Sequence, residues 1–297
     1  MTGHARSAPG APPCTEAVIL CELRDMSTQI LPHLSLVVPA YNEARRLPNT
    51  LRDLHDYCGR WAFLFEVIIV VEPSSDETLT LAQASIKTFP QLKVIGNEIH
   101  RGKGFAVRTG MLASTGELVF FTDADLSTPL YEIDRALAVF ETDRDVQVVV
   151  GNRQHPGSQI IRHQSWMREH MGKAFNTLVR SLAGIEIRDT QCGFKGFRQV
   201  ASRAIFERQK TDGFSFDVEV LLLAKALGFT VSEMPVHWSN SPDSKVRVLR
   251  DSAKMLKDVA LVRRLVKHTL AEQPYVANQK DVADVMADSP RAKLHRR

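Results

Sequence analysis

Two carboxylates one residue apart, Asp123 and Asp125, close an otherwise apolar stretch of the chain. The run before them, Leu118 to Phe121, is continuous and aromatic, and reads as a strand buried on both faces of a parallel sheet. Strand alternation sends Asp123 and Asp125 to one side. Carboxylates that close repel, and one is driven to take up a proton unless a cation lies between them. A hard divalent ion with oxygen ligands removes the conflict. With positions open to water, such an ion takes diphosphate oxygens and neutralises a phosphate leaving group. The spacing recurs in Asp143-Arg144-Asp145, a charged turn before the next strand, to which no function is assigned. Only the copy at a strand's carboxyl end lies where open α/β sheets bind ligands.

Other residues with usable chemistry fall at strand ends. Arg101-Gly102-Lys103-Gly104 sets two cations and two glycines between a strand and a helix start. Its backbone amides, helix dipole and Lys103 suit an anion, and a plain turn with solvated charges fits the motif equally. Val107 stands where a dinucleotide fingerprint needs its third glycine. Pro39-Ala-Tyr41-Asn-Glu43 offers an aromatic face and polar groups for a base and its ribose; read alone, it is a capped helix start. Arg153, Arg162 and Arg168 carry guanidinium forks that suit phosphate oxygens, though a solvated helix face is the default for the last two. His100, His163, His170 and His237 show no ligand spacing, and neither Ser127 nor Ser215 lies in a Gly-x-Ser-x-Gly setting, which argues against a hydrolase triad.

The elements that must position these groups alternate. Strands are expected at Leu34–Val38, Glu66–Val71, Leu92–Ile95, Leu118–Phe121 and Val146–Val150. Helices are expected with Leu47, Leu51, Leu54 and Cys58 on one face, over Glu77–Phe89, and through Met111 and Leu112. That order predicts an α/β fold with a mostly parallel sheet between helix layers. Further on, Ile161–Leu182 reads as one or two helices, Asp189–Phe197 as loop to strand, and Val218–Leu227 as a helix with Gly228 as C-cap. Thr230–Trp238 reads as a strand, followed by a polar loop over Asn240–Lys245. The division expected is a disordered segment 1–32, a catalytic domain 33–245, a basic amphipathic helix 246–270 and a polar tail 271–297. From Val246 to His268 there are seven Lys or Arg against two Asp, with Leu249, Ala253, Leu256 and Ala260 along one side. Such a helix suits either an anionic membrane surface or packing on the domain.

Composition narrows the classes. A net charge of +4 over 297 residues fits anionic substrates or an anionic membrane surface and is too weak for nucleic acid. The four cysteines lack Cys-x-x-Cys spacing, which points to a reducing cytoplasm with neither zinc site nor disulfide framework. No stretch nears a membrane span, and the first residues have no secretory h-region.

Taken together, the motifs resemble a family 2 inverting glycosyltransferase of the GT-A fold, nearest to dolichyl-phosphate β-glucosyltransferases and bacterial polyprenyl-phosphate relatives. The matching pieces are Val38–Glu43, Arg101–Met111, Phe121–Pro129, Gly151–Arg153, Asp189–Lys195 and Ser244–Arg247. The resemblance implies that Pro39, Tyr41 and Glu43 border the base and ribose, and that Lys103 and Arg108 lie near the diphosphate. It implies Asp123 at ribose or sugar, Asp125 on Mg²⁺ or Mn²⁺, and Asp189 beside the donor sugar or acceptor. Arg153, Arg168, Lys245 and Arg247 are its candidates for the acceptor phosphate. The family's Asp-Asp-Gly-Ser after the second strand is here Val71-Glu72-Pro73-Ser74, so Glu72 keeps an acid for base contact, one methylene longer. The membrane anchor of the eukaryotic relatives is also missing. The expected activity is metal-dependent transfer of a hexose, glucose from UDP-glucose, to a polyprenyl or dolichyl phosphate, by a cytoplasmic protein peripheral to the membrane face. GDP-mannose as donor and a soluble acceptor are the alternatives. A silent nucleotide-sugar-binding scaffold is the reading of another class, and retention of both strand-end aspartates argues against it.

Overall fold

The computed structural model describes residues 31–162, 166–241 and 248–272. Strand β1 (Leu34–Ala40) leads to α1 (Leu47–Cys58), which carries Pro48 in its first turn and buries Leu47, Leu51, Leu54 and Cys58. Then come β2 (Phe65–Val71), α2 (Thr78–Ser85), β3 (Leu92–Gly96), α3 (Lys103–Ala113) and β4 (Leu118–Phe121). The second half runs α4 (Tyr131–Thr142), β5 (Val146–Asn152), β6 (Gln159–Arg162), α5 (Trp166–Ala183), β7 (Lys195–Arg198) and α6 (Gln199–Phe206). It continues through α7 (Phe216–Ala226), β8 (Thr230–Pro235), β9 (His237–Ser239) and α8 (Val248–Glu272).

Seven strands form one sheet in the order β3-β2-β1-β4-β7-β5-β8, and β6 with β9 makes a separate parallel pair. The β1, β2, β3 and β4 pairings are parallel, as is β5 with β8; β7 runs antiparallel between β4 and β5. The sheet separates two apolar layers by simple alternation. Leu36, Val38 and Phe120 face the layer of Leu51, Ile133 and Phe140; Val37 and Phe121 face that of Val107, Met111 and Leu221. Gly196 admits β7 to the centre, since a Cβ there would overlap the Phe120 ring.

Several sequence expectations change. Tyr131–Thr142 and Gln199–Phe206 are helices that the sequence reading left unassigned. Ile161 and Arg162 end β6 rather than open a helix. The expected strand Thr230–Trp238 divides after Pro235, and its two parts pair with different strands. Gly228 stands one residue beyond the α7 C-cap at φ 78°, and Phe229 N donates to Ala224 O at 2.9 Å while Gly228 N donates to Lys225 O at 3.2 Å. That paired bonding uses the left-handed conformation glycine adopts without strain. Among the described side chains of α8, Val259, Val262, Val266 and Thr269 are buried, while Arg263, Arg264 and Lys267 are exposed. This part of the helix packs its stripe on the domain. The expected stripe Leu249, Ala253, Leu256 and Ala260 falls outside the described side chains. No helix among the described residues is long and apolar enough to cross a membrane.

Candidate active site

The carboxyl end of β4 turns at once. Thr122 N still donates to Val37 O at 3.0 Å, but the strand ends at Phe121, so Asp123 and Asp125 lie on a turn and not on alternating strand positions. Leu126 N donates to Asp123 O at 3.0 Å, and Ser127 N to Asp125 Oδ1 at 3.0 Å. Leu126 adopts φ 47°, a left-handed value that non-glycine residues hold only where surroundings enforce it. Thr50 of α1 fastens the middle of the turn, its Oγ1 donating to Ala124 O at 2.7 Å. Gly193, ahead of β7, presses from the other side: a Cβ there would overlap Asp123 Oδ2. Turn bonding and this packing, not strand alternation, set the two acids.

Cations reach both acids. Lys103, the first residue of α3, places Nζ 2.6 Å from Asp123 Oδ1. Burial works against its charge, but the fields of Asp123, Asp217 and Asp125 outweigh it and raise its pKa. Two glycines permit the approach. Gly102 has φ 123°, and a Cβ on Gly104 would lie 2.5 Å from Thr211 O. Arg46 Nη1 lies 3.7 Å from Asp125 Oδ2, Arg46 Nε 2.5 Å from Glu43 Oε2, and Nη1 donates to Ser241 Oγ at 3.2 Å. Sequence reasoning missed Arg46; its spacing of three from Glu43 at a helix start was the available signal.

The loops on the β1 and β2 side are tied together. Asn42, at φ 52°, accepts from Ser75 N at 2.7 Å, and Glu43 N donates to Thr78 Oγ1 at 2.7 Å. Tyr41 is half-exposed, next to Pro39 at the end of β1, and stacks on His100 with centroids 4.4 Å apart. Glu72 is buried. Its Oε1 accepts from Asn97 Nδ2 at 2.7 Å, and its Oε2 accepts from the backbone N–H groups of Arg101 at 2.8 Å and Gly102 at 3.0 Å. His100 Nδ1 lies 3.0 Å from the same oxygen. Glu72 thus braces the loop that delivers Lys103.

On the other side, Asp189 is buried and gripped by Arg153: Nε to Oδ2 at 2.7 Å, Nη2 to Oδ1 at 2.9 Å, and the Arg153 backbone N–H to Oδ2 at 2.9 Å. Burial pushes the Asp189 carboxyl up, but the Arg153 charge and these bonds prevail and hold it below the usual carboxylate range. The Arg153 guanidinium also lies 5.5 Å from the centre of the Trp238 ring. Behind this floor, Lys195 Nζ donates to Asp217 Oδ1 at 2.5 Å and to Cys192 O at 2.8 Å, with both side chains buried. Arg108 stands about 140° round α3 from Lys103. It lies within the field of Glu219, and its buried Nε has no hydrogen-bond partner among the described residues. It does not share the Lys103 face. Arg162 is exposed at the end of β6. The Arg168 side chain, Lys245 and Arg247 lie outside the described parts. The structure therefore brings Asp123, Asp125, Lys103 and Arg46 together, and pairs Arg153 with Asp189 beside them.

No cluster of three or more His, Cys, Asp or Glu fit for a metal occurs among the described residues. Carboxylate oxygens such as those of Asp123 and Asp125 are the ligands that the hard ions Mg²⁺ and Mn²⁺ prefer.

Residues 35–206 match the family described as Glycosyl transferase family 2. The chain belongs to that family. This family 2 glycosyltransferase, a hexosyltransferase as expected, is 33% identical over 241 residues to the dolichyl-phosphate beta-glucosyltransferase of Dictyostelium discoideum, covering 78% of this chain and 74% of that one. It is 34% identical over 250 residues to the enzyme of the same name from Saccharomyces cerevisiae, covering 77% and 74%. Among solved structures it resembles glucosyl-3-phosphoglycerate synthase from Mycobacterium tuberculosis in complex with UDP, with TM-score 0.57 and 18% identity over 89% of this chain and 86% of that one. That enzyme has also been solved with UDP and Mn²⁺ or Mg²⁺. The likeness bears out the expected GT-A fold of the glycosyltransferase.

Proposed function

We propose that this glycosyltransferase moves glucose from UDP-glucose to a polyprenyl phosphate of the dolichyl type, inverting the anomeric centre. One observation carries the reading. The acidic turn after β4, met by Lys103 and Arg46, stands at the carboxyl rim of the sheet in a chain a third identical to dolichyl-phosphate β-glucosyltransferases over most of its length. Tyr41 and Glu43, with Pro39 behind them, border the base and ribose. Lys103 meets the diphosphate. Asp125, with Asp123 beside it, would hold Mg²⁺ or Mn²⁺, whose positive charge eases departure of the diphosphate. Asp189, fixed by Arg153, faces the sugar. A lipid phosphate is already an anion near pH 7, so it needs no strong general base. It needs positive charge to draw it in and a fixed line of attack. A phosphate oxygen bonds to the anomeric carbon as the bond from that carbon to the β-phosphate oxygen breaks. UDP leaves, and an α-linked donor gives a β-linked product. Arg168, Lys245 and Arg247 are the residues proposed to receive the acceptor phosphate, and the exposed cations of α8 would rest on the cytoplasmic membrane face.

The test is transfer of labelled glucose from UDP-glucose to dolichyl phosphate in detergent, with parallel reactions offering GDP-mannose as donor or 3-phosphoglycerate as acceptor. Product only from GDP-mannose would reject the donor, and product only from 3-phosphoglycerate would reject the lipid. Liposome flotation of the full chain, and of one ending at residue 247, tests the membrane contact; equal recovery would remove α8 from it.

A further inference from the structure

Glu72, the acid expected to reach the base, is turned inward. It is 2% exposed, and both of its oxygens are engaged within its own loop: Oε1 accepts from Asn97 Nδ2 at 2.7 Å, and Oε2 from the backbone N–H groups of Arg101 and Gly102 at 2.8 and 3.0 Å. His100 reaches from this acid to the surface. Its Nδ1 lies 3.0 Å from Glu72 Oε2, yet 49% of its side chain is exposed. The imidazole stacks on Tyr41, with ring centroids 4.4 Å apart and planes 26° from parallel. Tyr41 follows β1 and His100 follows β3, and both strands run parallel to β2, so the two rings meet at one rim of the sheet. They form a flat, half-exposed surface where Tyr41 and Glu43 are proposed to border the base.

Stacking alone accepts any base, since every base has a π-face. The edge of the imidazole can choose among them. A carboxylate 3.0 Å from Nδ1 favours the ring proton at that atom, because an acceptor is better met by N–H than by a lone pair. The neutral ring then keeps its lone pair on Nε2, on the side turned from Glu72. A base lying beside the imidazole, in its layer of the stack, presents its pairing edge to that lone pair. Uracil carries a donor, N3–H, at the middle of this edge. Cytosine has a lone pair on the same atom, and two lone pairs repel.

We infer that His100 is a specificity-determining residue, which accepts the N3–H of the base at Nε2 and sets a preference for uridine over cytidine nucleotides, while Glu72 orients its ring. The role rests on the proposed use of a UDP sugar. The test is calorimetric binding of UDP, CDP, GDP, ADP and N3-methylated UDP to the full chain at one fixed Mg²⁺ concentration, with no acceptor present. The wild type should bind UDP about tenfold more tightly than CDP, and methylation at N3 should remove that margin. His100→Phe keeps a ring to stack on Tyr41 and lacks the acceptor; its margin should fall below about threefold, and His100→Ala should lose the margin as well. A merely structural defect would weaken UDP and CDP in equal proportion, since they share ribose and diphosphate. The assignment is overturned if the wild type draws no distinction among the nucleotides or prefers CDP or ADP. It is overturned also if the margin survives in both variants, or if UDP binds best and its methylation changes nothing. Guanine offers N1–H where adenine has a lone pair. Preference for GDP over ADP in place of UDP over CDP, lost in His100→Phe, would therefore keep His100 as the reader of the base and reject the proposed donor.

Discussion

Substituting Lys195 by methionine isolates the energetics of the floor beneath the site. The ammonium is fully buried, 2.5 Å from Asp217 Oδ1 and 2.8 Å from Cys192 O, with the Phe121 ring 5.3 Å away. Methionine fills nearly the same volume, so the change is electrostatic. It leaves the Asp217 carboxylate buried without its nearest counter-charge, a loss of about 3–5 kcal/mol. For a domain of this size each kcal/mol moves Tm by roughly 2–4 °C, so Tm should fall by roughly 6–20 °C. The pH dependence gives a second signature. Burial already holds the Asp217 carboxyl above the usual range, against the pull of Lys195 and Lys103. An acid whose folded pKa is raised binds a proton in the native state that the unfolded chain has released, so stability declines as pH rises above the ordinary carboxylate value. Removing Lys195 raises that pKa further, so the gap between variant and wild type should widen once pH rises past the wild-type folded value. Thermal and urea melts across a pH series measure both effects. Replacing the pair together, Lys195→Met with Asp217→Leu, should recover most of the loss, since a well-packed apolar pair often matches a buried ion pair. A loss below about 1 kcal/mol, a gap constant with pH, or a double variant no better than the single one would refute the reasoning.

Three further outcomes follow from the site. Asp125→Ala should lower turnover by about a hundredfold or more with Tm changed by no more than a few degrees, because the acid is partly exposed and makes one backbone bond at 3.0 Å; transfer kinetics check this. Gly193→Ala should displace Asp123 and reduce kcat/KM by more than about tenfold, and an unchanged rate would show that the close packing against the acid is without consequence. Arg153→Met should flatten the acid limb of the stability curve. The depressed pKa of Asp189 contributes stability that is present above the unfolded carboxylate value and lost as pH falls through the folded one, and that contribution disappears with the guanidinium; melts between about pH 2 and 7 read it.

The alternating first half of the fold was legible because β1, β2, β4 and β5 are dense apolar runs buried on both faces, and β3, at the sheet edge, still carries Leu92, Val94 and Ile95. The acidic turn was legible because it ends such a run. The position of β7 was not. A strand was expected at the end of Asp189–Phe197, but nothing in its pattern gave the antiparallel place between β4 and β5, which depends on Gly196 accommodating the Phe120 ring and on Lys195 meeting Asp217. Helix α4 did carry a signal: Ile133, Ala136, Leu137 and Phe140 recur at helical spacing. That Asp189, 36 positions away, folds against Arg153 was not legible, because a sequence cannot show which distant acid an arginine meets. Arg46 escaped for the same reason, since its partners Asp125 and Ser241 are distant in the chain and near only in the fold.

The place of β7 has a consequence during synthesis. Strand β4 leaves the ribosome long before its partner, because Leu118 pairs with Arg198 and Phe121 with Lys195. Until that segment emerges, β4 presents an unpaired, wholly apolar edge, the kind of surface on which nascent chains join one another. Strand β5 waits for the same segment on one side and for Thr230–Pro235 on the other. Chains released by a stop codon before residue 198 should therefore accumulate as insoluble material or in the hands of chaperones, however complete their nucleotide-side loops are.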